Sequence, residues 1–204
     1  MEQRLRLYKI LVEEIATCTR CRLHESRKNP VPGEGPVPSR IMIVGEAPGR
    51  REDEAGRPFV GQAGKLLDKL LSLAGLTRRE VYITNVVKCR PPGNRDPRQD
   101  EIAACSPYLQ RQVQLVEPEI IMAVGRIAGA TLYRMAGLRW RGIRAERGRL
   151  VHGAIAGRRV GIYPTFHPAA ALYNREVLPM LEEDFRRLGE ILRGGRGKSL
   201  LDFL

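Results

Sequence analysis

Residues 41–64, IMIVGEAPGRREDEAGRPFVGQAG, begin as a continuous apolar run and turn abruptly into glycine, proline and charge. A strand that is apolar at successive positions is covered on both faces, as strands of parallel sheets are. The segment Gly45-Glu46-Ala47-Pro48-Gly49 has too little side chain to pack a core. Glycines at such a place let the backbone come close to something small. Similar buried strands recur at 81–88 (VYITNVVK) and 119–125 (EIIMAVG). Helical periodicity fills the intervals, at 63–74, closed by Gly75, and at about 126–136. Residues 149–167 read as a hairpin whose second strand ends at Phe166-His167, and a last helix covers about 176–192.

Upstream, residues 2–16 place Leu5, Tyr8, Leu11, Val12 and Ile15 on one helical face, and 29–39 is an extended Pro/Gly loop. Asp96-Pro97 reads as an N-cap followed by the first helical residue, and Ser106-Pro107 predicts that this helix breaks and restarts. The alternation predicts an α/β fold, a three-layer α/β/α sandwich around a mostly parallel, four-stranded sheet. One domain is expected over residues 1–193, with a tail from 194 to 204. Ligands of such sheets sit at the carboxyl ends of the strands. Residues 45–49, Asn85, Gly125 and His167 therefore share one edge.

With 204 residues the chain can bury a core, and 43% hydrophobic residues is ordinary for a globular protein. No apolar run approaches the roughly 20 residues of a membrane span. The acidic, amphipathic start MEQRLRLYKILVEEIA is not a signal peptide, so the expected location is the cytoplasm. Lys and Arg number 35 against 23 Asp and Glu, a formal charge of +12, and 29 of the 35 are Arg. Planar recognition of phosphate uses Arg preferentially, and excess positive charge favours a polyanion. The basic surface of a thermophile has the same composition, so charge points to nucleic acid without naming a chemistry.

The cysteines are four: Cys18 and Cys21 in a CxxC, then Cys89 and Cys105. Without a secretory signal, disulfides are disfavoured. Four thiolates suit an all-cysteine zinc site or an iron–sulfur cluster, and spacing leaves both open.

GEAPG (45–49), GRPFVG (56–61), ITNVVKCRPP (83–92), TFHPAAAL (165–172) and the four cysteines, in this order and spacing, resemble the thermostable, iron–sulfur-containing family-four uracil-DNA glycosylases. The likeness runs from about Cys18 to Leu192. Each motif is weak alone; five together are specific. The resemblance implies an enzyme that flips uracil out of single- or double-stranded DNA and hydrolyses its N-glycosidic bond. It also implies a thermophilic prokaryote, a monomer, and a structural [4Fe-4S] cluster on Cys18, Cys21, Cys89 and Cys105. Phe59 is then a stacking face for the flipped base. Asn85 offers an amide oxygen beside an NH2, the complement of uracil's N3–H and O4, whereas cytosine presents the opposite pattern. In the resembled family the position of His167 bonds uracil O2, where negative charge grows as the bond breaks. Backbone N–H groups of Gly45, Glu46 and Ala47 complete the pocket.

Better-known glycosylase families carry Asp or Asn two residues after the first glycine of this motif, to position water; here Ala47 stands there. Glu46 is adjacent, expected either to orient the water or to shape the pocket against thymine's methyl group, in a mechanism where C–N cleavage precedes water attack. Arg90, Arg95 and Arg98 are expected at phosphates, and Leu172 in the gap left by the base. Two rival readings share features: a non-catalytic zinc protein that binds nucleic acid, and a covalent uracil trap. The first has no use for Phe59, Asn85 and His167 together, and the second adds a histidine-bearing basic insert absent here. Finally, Leu200, Phe203 and Leu204 fall on one face of a helical turn and resemble a sliding-clamp-binding peptide, although Gly197 stands where that motif has Gln.

Overall fold

The computed structural model describes residues 2–194. The expected clamp-binding residues Leu200, Phe203 and Leu204 lie outside them. In chain order the elements are α1 (Glu2–Ala16), β1 (Ile41–Gly45), α2 (Arg50–Ala55), α3 (Gln62–Leu73), β2 (Val81–Asn85), α4 (Gln99–Val116), β3 (Ile120–Val124), α5 (Arg126–Met135), α6 (Ile143–Glu146), β4 (Val151–Ile155), β5 (Arg158–Thr165), α7 (Pro168–Tyr173) and α8 (Val177–Gly194).

Five strands form one sheet in the order β2-β1-β3-β5-β4, one more than the four expected. The extra strand is the first arm of the hairpin. β4 pairs antiparallel with β5 at the sheet edge, through a tight turn with Ala156 and Gly157 both at positive φ. β1 pairs in parallel with β2 and β3, and β3 with β5. Every residue of β1, β2 and β3 is buried, which accounts for their continuous apolar reading. Successive side chains point to opposite faces. Met42, Val44, Ile121 and Ala123 join a core with residues of α1, α4 and α5. Ile41, Ile43, Ile120 and Met122 join the other core, with α3 and α8. The Pro/Gly loop covers the β2 edge, where Glu34 and Ile83 exchange backbone hydrogen bonds of 2.9 and 2.7 Å.

Two local expectations fail. The helix read at Asp96-Pro97 starts later, at Gln99, because the Glu101 carboxylate accepts the Arg98 N–H at 2.7 Å and caps the turn there. Nor does α4 break at Ser106-Pro107. Ile102, Cys105, Tyr108 and Leu109 are buried on either side of the proline, so tertiary packing holds one helix through it. The Ser106 hydroxyl donates to the Ile102 carbonyl at 2.7 Å.

Candidate active site

The carboxyl ends of the parallel strands meet as the sequence pattern requires. Gly45 is directly opposite Asn85 across the β1–β2 pair, and Thr165 of β5 opposite Val124 of β3, two residues before His167. A cavity of about 370 Å³ opens over this edge. Glu46, Ala47, Phe59, Asn85 and His167 all line it, so the predicted base-binding residues come together.

Asn85 is 1% exposed, and its Oδ1 is a buried acceptor without a hydrogen-bond partner. Such atoms are costly unless a ligand satisfies them. Gly45 explains how the amide reaches the cavity. A Cβ at Gly45 would sit 2.3 Å from Asn85 Oδ1 and 2.8 Å from the Phe59 ring, so only glycine fits between them.

Phe59 is buried at positive φ, 51°. That conformation is strained for a bulky residue and persists only where the surroundings impose it. Arg78 donates to the Pro58 and Phe59 carbonyls, and a Cβ on Gly64 of α3 would meet the Phe59 carbonyl. The Phe59 ring is stacked on the His167 imidazole, with centroids 5.5 Å apart and planes inclined by 23°.

His167 precedes α7, and its Nδ1 accepts the Ala169 N–H at 3.1 Å. An accepting Nδ1 puts the proton of a neutral ring on Nε2. Burial pushes the imidazole down to about 4, opposed only by the nearby Glu52 carboxylate, so the ring is neutral at neutral pH. The ring thus offers an Nε2–H donor without carrying charge. Gly125, at φ 103°, leaves space beside it: a Cβ there would lie 3.2 Å from His167 Cβ.

Glu46 is half-buried on the cavity wall. Burial raises its carboxyl to about 7, the Asp96 carboxylate adds to the rise, and Arg126 opposes it. Asp96 is itself ion-paired with Arg126, the first residue of α5. Glu52 lines the same wall, where its Oε1 accepts the Val60 and Gly61 N–H groups at 2.9 and 2.8 Å. It thereby fixes the turn that follows Phe59.

The loop of residues 89–98 contributes Pro91, Asn94 and Arg95 to the cavity wall. The Arg95 guanidinium is held in two bonds, 2.7 and 2.8 Å, by the fully buried Glu101 carboxylate. Arg90 donates to Asn94 Oδ1 at 2.7 Å, and Arg98 is exposed. Leu172 is 46% exposed on α7, beside Tyr173, which lines the cavity mouth and is 91% exposed. Sequence reasoning missed Glu52, Asn94 and Tyr173. Asn94 had a signal in its Gly93-Asn94 turn chemistry, and Tyr173 in its place beside TFHPAAAL.

Cys18, Cys21, Cys89 and Cys105 line one small cavity behind this loop, together with Arg27, Lys88 and Tyr108. Three N–H groups reach the sulfurs: Arg27 Nη1 to Cys89 at 3.1 Å, Lys88 N to Cys105 at 3.3 Å and Arg20 N to Cys18 at 3.5 Å. Among the described residues no three His, Cys, Asp or Glu side chains are close enough to hold a single metal ion. The four thiols surround a space, not a point. No helix among the described residues is long and apolar enough to cross a membrane.

Comparison with known proteins agrees with this geometry. The model of the uracil DNA glycosylase superfamily matches residues 32–192. The chain is 48% identical to the type-4 uracil-DNA glycosylase of Saccharolobus solfataricus, over 90% of this chain and 85% of that protein. It is 42% identical to the type-4 enzyme of Archaeoglobus fulgidus over 95% and 97% of the two chains. The type-4 enzyme of Thermotoga maritima is also 42% identical, over 95% and 98%. A cavity built from paired strand ends, an unpartnered buried amide and a neutral histidine thus occurs in a chain that belongs to the type-4 uracil-DNA glycosylases of the uracil DNA glycosylase superfamily.

Proposed function

We propose that this protein excises uracil from DNA by hydrolysing the N-glycosidic bond, with Asn85 reading the base and His167 stabilising the leaving anion. The observation that carries the reading is the buried, partnerless Asn85 Oδ1 in the same cavity, of about 370 Å³, as a neutral imidazole. Uracil supplies what the amide lacks: N3–H donates to Oδ1, and O4 accepts from the NH2 group. Cytosine would leave both ends mismatched. The base must leave the stack to enter, and the Phe59 ring gives it an apolar wall. As C1′–N1 breaks, negative charge spreads onto uracil O2. The Nε2–H of His167 stabilises it there without a proton transfer, and the Gly45-Glu46-Ala47 backbone closes around the base. Arg90, Arg98 and Leu172 contact DNA at the rim, while Arg95, bound to Glu101, shapes the wall.

Glu46 orients the attacking water and takes its proton. Its carboxylate form fills as pH rises through about 7, so the excision rate should rise across that value. We expect Glu46→Gln to slow excision about a hundredfold at pH 8, the low end for loss of a general base, and to flatten the profile. An unchanged inflection in Glu46→Gln would assign it to another group. Because the folded protein favours the protonated acid, this residue's contribution to stability is complete below about 4.5 and is lost as pH rises through about 7.

The cysteines fit a [4Fe-4S] cluster, because four thiols ring a cavity and N–H donors already meet three of the sulfurs. A cluster supplies a rigid, electron-rich tie, and Cys18, Cys21, Cys89 and Cys105 would hold it. Those residues then anchor the end of α1 and the loop that carries Pro91, Asn94 and Arg95. Purified protein should contain about four iron and about four sulfide per chain. Colourless protein with one zinc ion would contradict the assignment.

The activity is tested with an oligonucleotide carrying one uracil, under single-turnover conditions. Free uracil, an abasic strand and enzyme of unchanged mass are expected. A covalent enzyme–DNA adduct would identify a trap, and intact DNA a non-catalytic binder.

A further inference from the structure

Lys88 is the one lysine in the buried core of the described residues, at 1% exposure, and nothing in the chemistry above uses it. Its side chain folds back along its own segment. Nζ donates to the Asn85 carbonyl at 2.6 Å and to Thr84 Oγ1 at 2.7 Å. The Asn85 carbonyl lies at the last residue of β2, where the sheet ladder stops. Beyond that point the chain leaves the strand, and the Val86 and Val87 N–H groups turn to the Gly45 and Glu46 carbonyls. A lysine ammonium is thus the donor that the strand-end carbonyl meets.

The ammonium is tied down from below as well. Thr84 Oγ1 donates to the Pro32 carbonyl at 2.8 Å, and Gln112 Nε2 donates to that carbonyl at 2.6 Å and to Tyr82 Oη at 2.9 Å. The Lys88 main chain is held at both ends: its N–H meets Cys105 Sγ, and its carbonyl accepts the Val31 N–H at 2.7 Å. Placing a cation in such a site is expensive unless its bonds are worth more than those of a neutral donor. Meanwhile Asn85 Oδ1 has no protein partner that would orient the amide. Its aim rests on packing against Gly45 and Phe59 and on the main chain that Lys88 grips.

We propose that Lys88 is a positioning residue for base selection: by holding the Asn85 carbonyl and Thr84 in one rigid unit, it fixes the amide that reads uracil. This inference rests on the reading of Asn85 given above, and the test separates the two.

The probes are uracil and 3-methyluracil, the second lacking the N3–H, measured as inhibitors of excision. For Lys88→Met we expect the inhibition constant for uracil to rise about tenfold, the usual effect of losing a charged hydrogen bond, and that for 3-methyluracil to stay put. The maximal single-turnover rate should change less than the half-saturating concentration. Thr84→Val removes the other anchor away from the cysteines and should act in the same direction by a smaller factor. Iron content and melting temperature monitor the fold, and if Lys88→Met fails to accumulate, Thr84→Val carries the test. In an Asn85→Ala background neither change should weaken uracil further, because the group being positioned is gone. Additive losses in that background, or an unchanged preference for uracil over 3-methyluracil in both single variants, would overturn the role of Lys88. Were Asn85→Ala itself to keep the preference, the reading of Asn85 would fail instead.

Discussion

His167→Ala is expected to slow uracil excision about 10²–10³-fold in single turnover while leaving DNA affinity within about twofold, the scale for loss of one preorganised anion-stabilising donor. His167 lines the cavity, whereas Arg90 and Arg98 do not, so binding and chemistry separate. The pH dependence is part of the prediction. Burial holds the imidazole near 4, so its Nε2–H is present, uncharged, throughout the neutral range. No inflection near the ordinary histidine value of 6.5 should arise from it. Below about 4 the ring gains a proton on Nδ1, where it faces the Ala169 N–H and loses the cap of α7. The stability conferred by keeping the ring neutral is complete above about 6.5 and is lost as pH falls towards about 4. Wild-type rates in His167→Ala would remove the residue from the mechanism.

Asn85→Asp is expected to cut uracil excision by at least about a hundredfold, as sites built to hydrogen-bond a substrate group reject a mismatch strongly. The new carboxylate can accept the N3–H but has nothing to donate to O4. It is also buried at a place 1% exposed, which favours its protonated form. A carboxylic acid carries its proton on either oxygen, so the protonated fraction can present acceptor and donor in the order cytosine requires as well as in uracil's, and the discrimination made by the amide is lost. Weak excision of cytosine, growing as pH falls, should therefore accompany the loss, measured with matched uracil and cytosine oligonucleotides. Retained full preference for uracil would show that Asn85 does not read the base.

The strands that build the site were legible because their burial leaves a continuous apolar trace: β1, β2 and β3 have no exposed position. Glycine and proline at their ends then marked the edge where Gly45, Asn85 and His167 meet. β4 alternates in burial, and its Gly153 packs close to Ala136, so it reads as hairpin and not as a fifth member of the sheet. Pro107 misled because a local rule met a helix held by its core contacts. Three roles that the pattern hid share one property: they arise from partners distant in the chain or from a side chain bent back on itself. Glu52 acts on Val60 and Gly61, Glu101 on Arg95, and Lys88 on Asn85. Four convergent cysteines were legible as a set, whereas the cavity they surround needed the fold.

Whether this cavity reads uracil and stabilises its anion is decided by the crystal structure of the protein soaked with free uracil. The expected result is one uracil in the cavity, N3 within hydrogen-bond distance of Asn85 Oδ1, O4 against the Asn85 NH2 group and O2 against His167 Nε2. Uracil bound elsewhere, or bound in the cavity with Asn85 Oδ1 still unpartnered, would contradict it.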